Sequence, residues 1–116
     1  MKEKDVENYL VKSVKELGGV AYKFVSPGNA GVPDRICVMP EGLVYFVEVK
    51  KPGGCLSQKQ YNQIVRMKKL AHRVEIVHDY EAVDELKHRM AHDLTNIRIK
   101  EVLLKEEDDC NEIYAS

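Results

Sequence analysis

Apolar residues recur at three-to-four spacing at Val6, Leu10, Val14 and Leu17, which predicts an amphipathic helix over residues 3–17 that Gly18-Gly19 then stops. A short apolar run over residues 20–25 follows as a strand, and Ser26–Pro33, rich in glycine, proline and small residues, as a loop. Asp34–Met39 and Leu43–Lys50 are two β-rich runs separated by Pro40-Glu41-Gly42, a hairpin signature. A helix starts near Ser57 and runs to Leu70, Arg73–Val77 returns to strand, and Tyr80–His92 is again helical. The predicted order is α-β-β-β-α-β-α. Leu43–Val49 is apolar at nearly every position, so the sheet it belongs to has to be covered on both faces. These features define an α/β fold, a central mixed β-sheet flanked by helices. Leu94–Leu104 is readable as an edge strand or a helix, and residues 105–116 are too charged to pack. The expected organisation is therefore one domain over 1–104 and an acidic, flexible tail over 105–116.

Alternation along Leu43–Lys50 puts Val44, Phe46, Glu48 and Lys50 on one face and Leu43, Tyr45, Val47 and Val49 on the other. A carboxylate and an ammonium thus end an apolar row, where each loses hydration unless it gains a partner. If residues 40–42 form a three-residue turn, Met39 pairs with Leu43, and Asp34 then lies opposite Glu48. Two like charges facing each other across neighbouring strands destabilise a sheet. A divalent cation reverses that sign, because Mg²⁺ takes hard oxygen ligands and keeps several waters. Taken singly, Asp34 is better read as a strand-entry residue after Pro33, and Glu48 with Lys50 as a plain ion pair; only their joint placement points to chemistry.

Charge is unevenly distributed. The chain has a net charge of −1, but residues 1–100 carry 17 Lys+Arg against 13 Asp+Glu, whereas the last 16 residues carry 1 against 6. Residues 50–73 hold Lys50, Lys51, Lys59, Arg66, Lys68, Lys69 and Arg73 and no acid, which suits a phosphate backbone as well as a solvated helix face. The acidic run from Glu106 to Asp109 is readable as a solubilising tail or as a strap over that basic face. His88 and His92 lie one helical turn apart, half of a zinc site with no evident second half. Cys37, Cys55 and Cys110 form no CxxC pair, and their odd number argues for reduced thiols. No segment approaches the ~20 apolar residues of a membrane helix, and MKEKDVENYL lacks the apolar core of a signal peptide. A cytoplasmic protein without a membrane partner is expected.

The runs Gly31-Val32-Pro33-Asp34, Val47-Glu48-Val49-Lys50-Lys51-Pro52 and Leu56-Ser57-Gln58-Lys59-Gln60 resemble the VRR-NUC family of PD-(D/E)XK nucleases, which have a restriction-endonuclease-like core. The resemblance implies that Asp34 and Glu48 hold Mg²⁺ or Mn²⁺, that Val49 offers its backbone carbonyl, and that Lys50 positions the nucleophilic water. It further implies that Glu7 touches the metal site through water and that Gln60 lies near the scissile phosphate. Each has a structural alternative: an acid in the first turn of a helix is favoured by the dipole, and Ser57-Gln58-Lys59-Gln60 is a capping box. Lys51, Lys59, Arg66 and Lys69 are the expected contacts to the DNA backbone, in a largely sequence-independent mode. Compact members of the family resemble homodimeric four-way-junction resolvases, so the expected activity is metal-dependent endonucleolytic cleavage of branched DNA by a homodimer. The competing readings are a non-catalytic nucleic-acid-binding module and a nuclease subunit of a larger DNA-processing complex. The length suits a phage or bacterial origin.

Overall fold

The computed structural model describes residues 1–115, with side-chain surroundings for residues 1–108. Helix α1, Glu3–Glu16, buries Val6, Leu10, Ser13 and Val14 along one stripe. Acids stand in its first turn, where the helix dipole favours them, and Asp5 accepts from the Lys2 backbone N–H at 2.9 Å. It ends where Gly18 takes a φ of +85°, a conformation without penalty only for glycine, so that Gly18 N and Gly19 N turn back to the carbonyls of Lys15 and Val14.

Four strands follow: β1 (Val20–Lys23), β2 (Arg35–Val38), β3 (Val44–Val49) and, after helix α2 (Gln58–Leu70), β4 (Val74–Val77). They form one sheet in the order β1-β2-β3-β4, antiparallel except for the parallel β3–β4 pair, so the sheet is mixed as expected. The hairpin turn, Pro40–Gly42, is a short 3-10 turn in which Glu41 and Gly42 both have positive φ. Met39 N donates to Leu43 O at 2.8 Å, and the ladder keeps the predicted register down to Arg35 opposite Val47.

The core lies on one face of the sheet. Cys37, Tyr45, Val47, Val49 and Val77 pack there against Val6, Leu10 and Val14 of α1 and against Val83, Leu86, Met90 and Leu94 of helix α3. Each such side chain, once buried, stabilises the fold by about 1.5–3 kcal/mol. The expectation of two covered faces holds only in part. On the second face α2 buries Ile64 alone, over the β3–β4 side, while Val20, Tyr22 and Val38 stay exposed. The apolar run of β3 therefore reflects a central strand with a full core on one side and a thin one on the other.

α3 also departs from the expectation. It is a single helix, Tyr80–Ala115, of 36 residues, where the sequence suggested one ending at His92 and a separate element after it. The helix runs across positions 104 and 105 without a break. Leucine, lysine and glutamate, which recur beyond Leu94, are good helix formers, so charge prevents packing there without preventing the helix. The molecule is consequently long, with extents of 61 × 28 × 20 Å. No helix among the described residues is long and apolar enough to cross a membrane.

Candidate active site

The loop from Ser26 leads through Pro33, whose ring is fully buried, into Asp34 at the start of β2. Two bonds fix that aspartate. Its carbonyl accepts from Phe24 N at 2.9 Å, tying its backbone to the chain leaving β1, and its carboxylate Oδ2 accepts from Val49 N at 2.8 Å, tying its side chain to the end of β3. Asp34 therefore stands across from Glu48, on the same side of the sheet. Glu48 has no exposed surface, and neither of its carboxylate oxygens has a hydrogen-bond donor among the described residues.

Burial is the first cause that pushes the Glu48 carboxyl up to about 8; a hydrogen bond to Asp34 and the Asp34 charge push it further, and Lys50 acts in the opposite sense. The orphaned oxygens and the Asp34 hydrogen bond are one fact at two protonation states. With both acids ionised, neither can donate; with Glu48 protonated, it donates to Asp34. The pair needs either a proton or a cation between its members.

Lys50 follows on the same ridge, half-buried, its backbone N–H clipped to Val77 O at 2.8 Å and its ammonium in no ion pair with a described residue. Glu7 is committed elsewhere: Oε2 lies 3.3 Å from Arg35 Nε and Oε1 3.4 Å from Lys4 Nζ. Arg35 also donates through Nη1 to Ala21 O at 3.0 Å. The acid of α1 whose charge reaches Glu48 is Glu3. Neither Arg35 nor Glu3 was singled out in the sequence. A charged residue alternating with Cys37 toward the helical face of β2 was the available signal for Arg35, because it demands a partner there.

Gln60 closes the predicted capping box: Ser57 Oγ accepts from Gln60 N at 3.1 Å, and Gln60 Oε1 accepts from Ser57 N at 2.9 Å. Its amide oxygen is thus occupied, leaving the NH₂ group for any further contact. The first turn of α2 also touches the loop before Asp34. A Cβ on Gly31, whose φ is +88°, would fall 2.5 Å from the carbonyl carbon and oxygen of Lys59 and 2.8 Å from Gln60 N. Only glycine permits that approach of two backbones. Lys51, Lys59, Arg66 and Lys69 are all exposed. A groove of ≈ 250 Å³ between the loop and α2 is lined by Ala30, Lys59, Asn62, Gln63 and Arg66, which adds two amides to the basic residues read from sequence.

A sequence model of the VRR-NUC domain matches residues 7–79, which takes in every strand, α2 and most of α1. The chain belongs to the VRR-NUC family. A solved structure described as "VRR_NUC domain" superposes on this VRR-NUC chain with a TM-score of 0.70 at 31% identity, covering 74% of this chain and 94% of that one. The protein named "Putative nuclease p44" of Acyrthosiphon pisum secondary endosymbiont phage 1 is 43% identical over 77 residues, 66% of this chain and 83% of that protein. Asp34, Glu48 and Lys50 all lie inside the VRR-NUC match, whereas α3 lies wholly outside it.

His88 and His92 line a separate cavity of ≈ 470 Å³ with Tyr45, His72, Arg73, Glu75, Arg89 and Asp93. Among the described residues no three His, Cys, Asp or Glu side chains are grouped to hold a metal ion, so the helical histidine pair finds no second half. Cys37 is buried and Cys55 exposed, both unpaired, and Cys110 lies outside the residues whose side chains are described.

Proposed function

We propose that this VRR-NUC protein is a Mg²⁺- or Mn²⁺-dependent DNA endonuclease that hydrolyses phosphodiester bonds, selects branched DNA such as four-way junctions, and works as a homodimer. One observation carries the reading: a fully buried glutamate whose two oxygens find no donor among the described residues stands beside a second carboxylate. A nucleic-acid binder gains nothing from two acids that repel phosphate.

The donor set fits a hard divalent cation. Glu48 offers two free oxygens and Asp34 one, since its Oδ2 is engaged by Val49 N. The carbonyl of Val49 is the further oxygen assigned to it, with Glu7 or Glu3 acting through water. Such an ion, when bound, acidifies a water and neutralises charge on the phosphoryl oxygens. The protein's own groups do the remaining work. Asp34, at the entry to β2, and Glu48, near the end of β3, hold the binding geometry because each is fixed by its strand. Lys50, a compact ammonium with no ion-pair partner among the described residues, donates to the attacking water or to a non-bridging oxygen. Lys51, Lys59, Arg66 and Lys69 hold the flanking backbone, and the Gln60 amide NH₂ donates toward the scissile phosphate.

The test is cleavage of a labelled four-way junction during Mg²⁺ and Mn²⁺ titrations, beside linear duplex and a Glu48→Ala control. Expected are metal-dependent nicks near the branch and none with Glu48→Ala. Junction binding without nicking at any metal concentration returns the protein to the non-catalytic class.

A further inference from the structure

We propose that the flank of α3 beside the free edge of β4 is a second phosphate-binding surface, which takes a nucleic-acid segment other than the one lying on α2. β4 is an edge strand, paired only with β3. Arg73 and Glu75, on either side of Val74, point to the sheet face on which α3 packs, beside Tyr45 of β3. On α3, Arg89, His92, Asn96 and Lys100 recur at three- and four-residue steps, which sets them on one flank over about 16 Å. Two adjoining cavities lie between these groups. One of ≈ 470 Å³ holds His72, Arg73, Glu75, Arg89 and His92; one of ≈ 480 Å³ shares Arg73 and Asp93 with it and adds Asn96 and Lys100.

The charges there are held in place from below. Tyr45, 2% exposed, donates its hydroxyl to Asp93 Oδ2, and the same oxygen lies 3.7 Å from Arg73 Nε. Arg73 Cζ stands 5.7 Å from the centre of the Tyr45 ring. A buried ring and an acid anchored to it thus aim one guanidinium, while Glu75 Oε2, 3.1 Å from Arg89 Nη2, aims the other. A guanidinium carries five N–H donors, so each keeps most of its own for an incoming anion. Arg73, Arg89 and Lys100 outnumber the two acids, both of which are already engaged. The imidazoles of His72 and His92 can each donate an N–H in either protonation state. Among the described residues no three ligating side chains converge on a metal, so an anion is the ligand this set fits.

The anion is a nucleic-acid phosphate because the surface continues the one assigned to DNA. No acid occurs between Lys50 and Arg73; Lys68 and Lys69 lie in the last turn of α2, and His72 and Arg73 carry the positive charge around the sheet edge to the α3 side. A straight duplex held along α2 does not turn that edge, since DNA is stiff over about 150 base pairs. A second arm leaving a branch point does. Asp84 and Glu85 line the next groove toward the start of α3, where they repel phosphate and bound the surface. α3 lies outside the VRR-NUC match, so this surface is an addition to the shared domain. The inference rests on the DNA reading above but not on catalysis, and its test is binding without metal.

The experiment compares binding of the full chain to a four-way junction and to a linear duplex, in chelator and over a salt series. Reversing both Arg89→Glu and Lys100→Glu should weaken junction binding by about tenfold or more, lower its salt slope by about 2 and leave linear-duplex affinity within about twofold. Lys59→Gln should weaken both probes alike. Glu75→Gln removes an acid and releases Arg89, so it should tighten junction binding by about threefold, an effect opposite in sign to the loss of a structural ion pair. Junction affinity and salt slope unmoved by the double reversal, an equal loss on the linear duplex, or weaker junction binding with Glu75→Gln each overturn the surface. Inorganic phosphate is the other source of the same chemistry: if it shifts the His92 ring signals while junction affinity ignores the double reversal, the site serves a free anion and the nucleic-acid assignment fails. Absence of cleavage at every metal concentration, with the junction-specific loss intact, defeats the catalytic reading and leaves this one standing.

Discussion

A carboxylate removed from water with no donor for either oxygen is stabilised only in its neutral form or against a cation. Glu48 is in that position, so its titration is a stability statement. Its ordinary value of 4.5 describes the unfolded chain, and the folded value is pushed up to about 8. Below 4.5 both states hold the proton; between 4.5 and about 8 only the folded state does, so metal-free stability falls as pH rises across that window, by up to about 1.4 kcal/mol per pH unit. Glu48→Gln should flatten this dependence and, in chelator near pH 8, melt several degrees above the wild type while losing cleavage. Mg²⁺ or Mn²⁺ should raise the wild-type melting temperature at that pH and leave Glu48→Gln unmoved; parallel melting curves for the two proteins would sink the buried-acid account. Gly31 gives a second residue-scale test. Alanine there meets both a positive φ and the Lys59 backbone 2.5 Å away, so Gly31→Ala should cost about 2 kcal/mol or more and lower cleavage by about 100-fold through displacement of Asp34. Thermal melting and single-turnover rates measure the two effects.

At the scale of elements, what could be read from the chain was whatever follows from short-range pattern. Helix α1, the hairpin register that sets Asp34 against Glu48, and the Ser57–Gln60 capping box all follow from spacing and turn chemistry, and all appear as predicted. What could not be read depends on neighbours in space. The Glu7–Arg35 pair joins residues 28 apart, the Gly31–Lys59 backbone contact joins a loop to a helix, and of the continuation of α3 past His92, Leu94–Leu104 was open between strand and helix while the stretch from Lys105 escaped because charge was taken as a bar to structure. The same scale fixes the expected role of α2. With Lys59 and Arg66 exposed on one helix beside a polar groove, Lys59→Gln and Arg66→Gln should each weaken DNA binding across sequences and reduce the salt slope by about 1. Affinity measured over a salt series checks this. A loss confined to one sequence would point to base readout.

Over the whole molecule, stability is unequal on the two sides of the sheet. One face holds a continuous core between the strands, α1 and α3; the other holds α2 by Ile64 and partly buried neighbours. Hydrogen exchange should therefore show α1 and β3 opening only with global unfolding and α2 opening well below it, with α2 slowed when DNA and metal are added. Equal protection of α1 and α2 would contradict this picture. The acidic run also lies differently from a strap over the basic face: Glu106–Asp108 stand exposed on α3, which packs on the sheet face opposite α2.

The contact between Gly31 and Lys59 has a mechanical consequence. Because α2 is rooted weakly at its middle but abuts, backbone to backbone, the loop that ends in Asp34, tension applied by a gripped strand to its lysines is handed directly to one of the two acids. On the proposed nuclease reading, substrate grip and the spacing of the two acids share a single lever, whose fulcrum is a residue without a side chain.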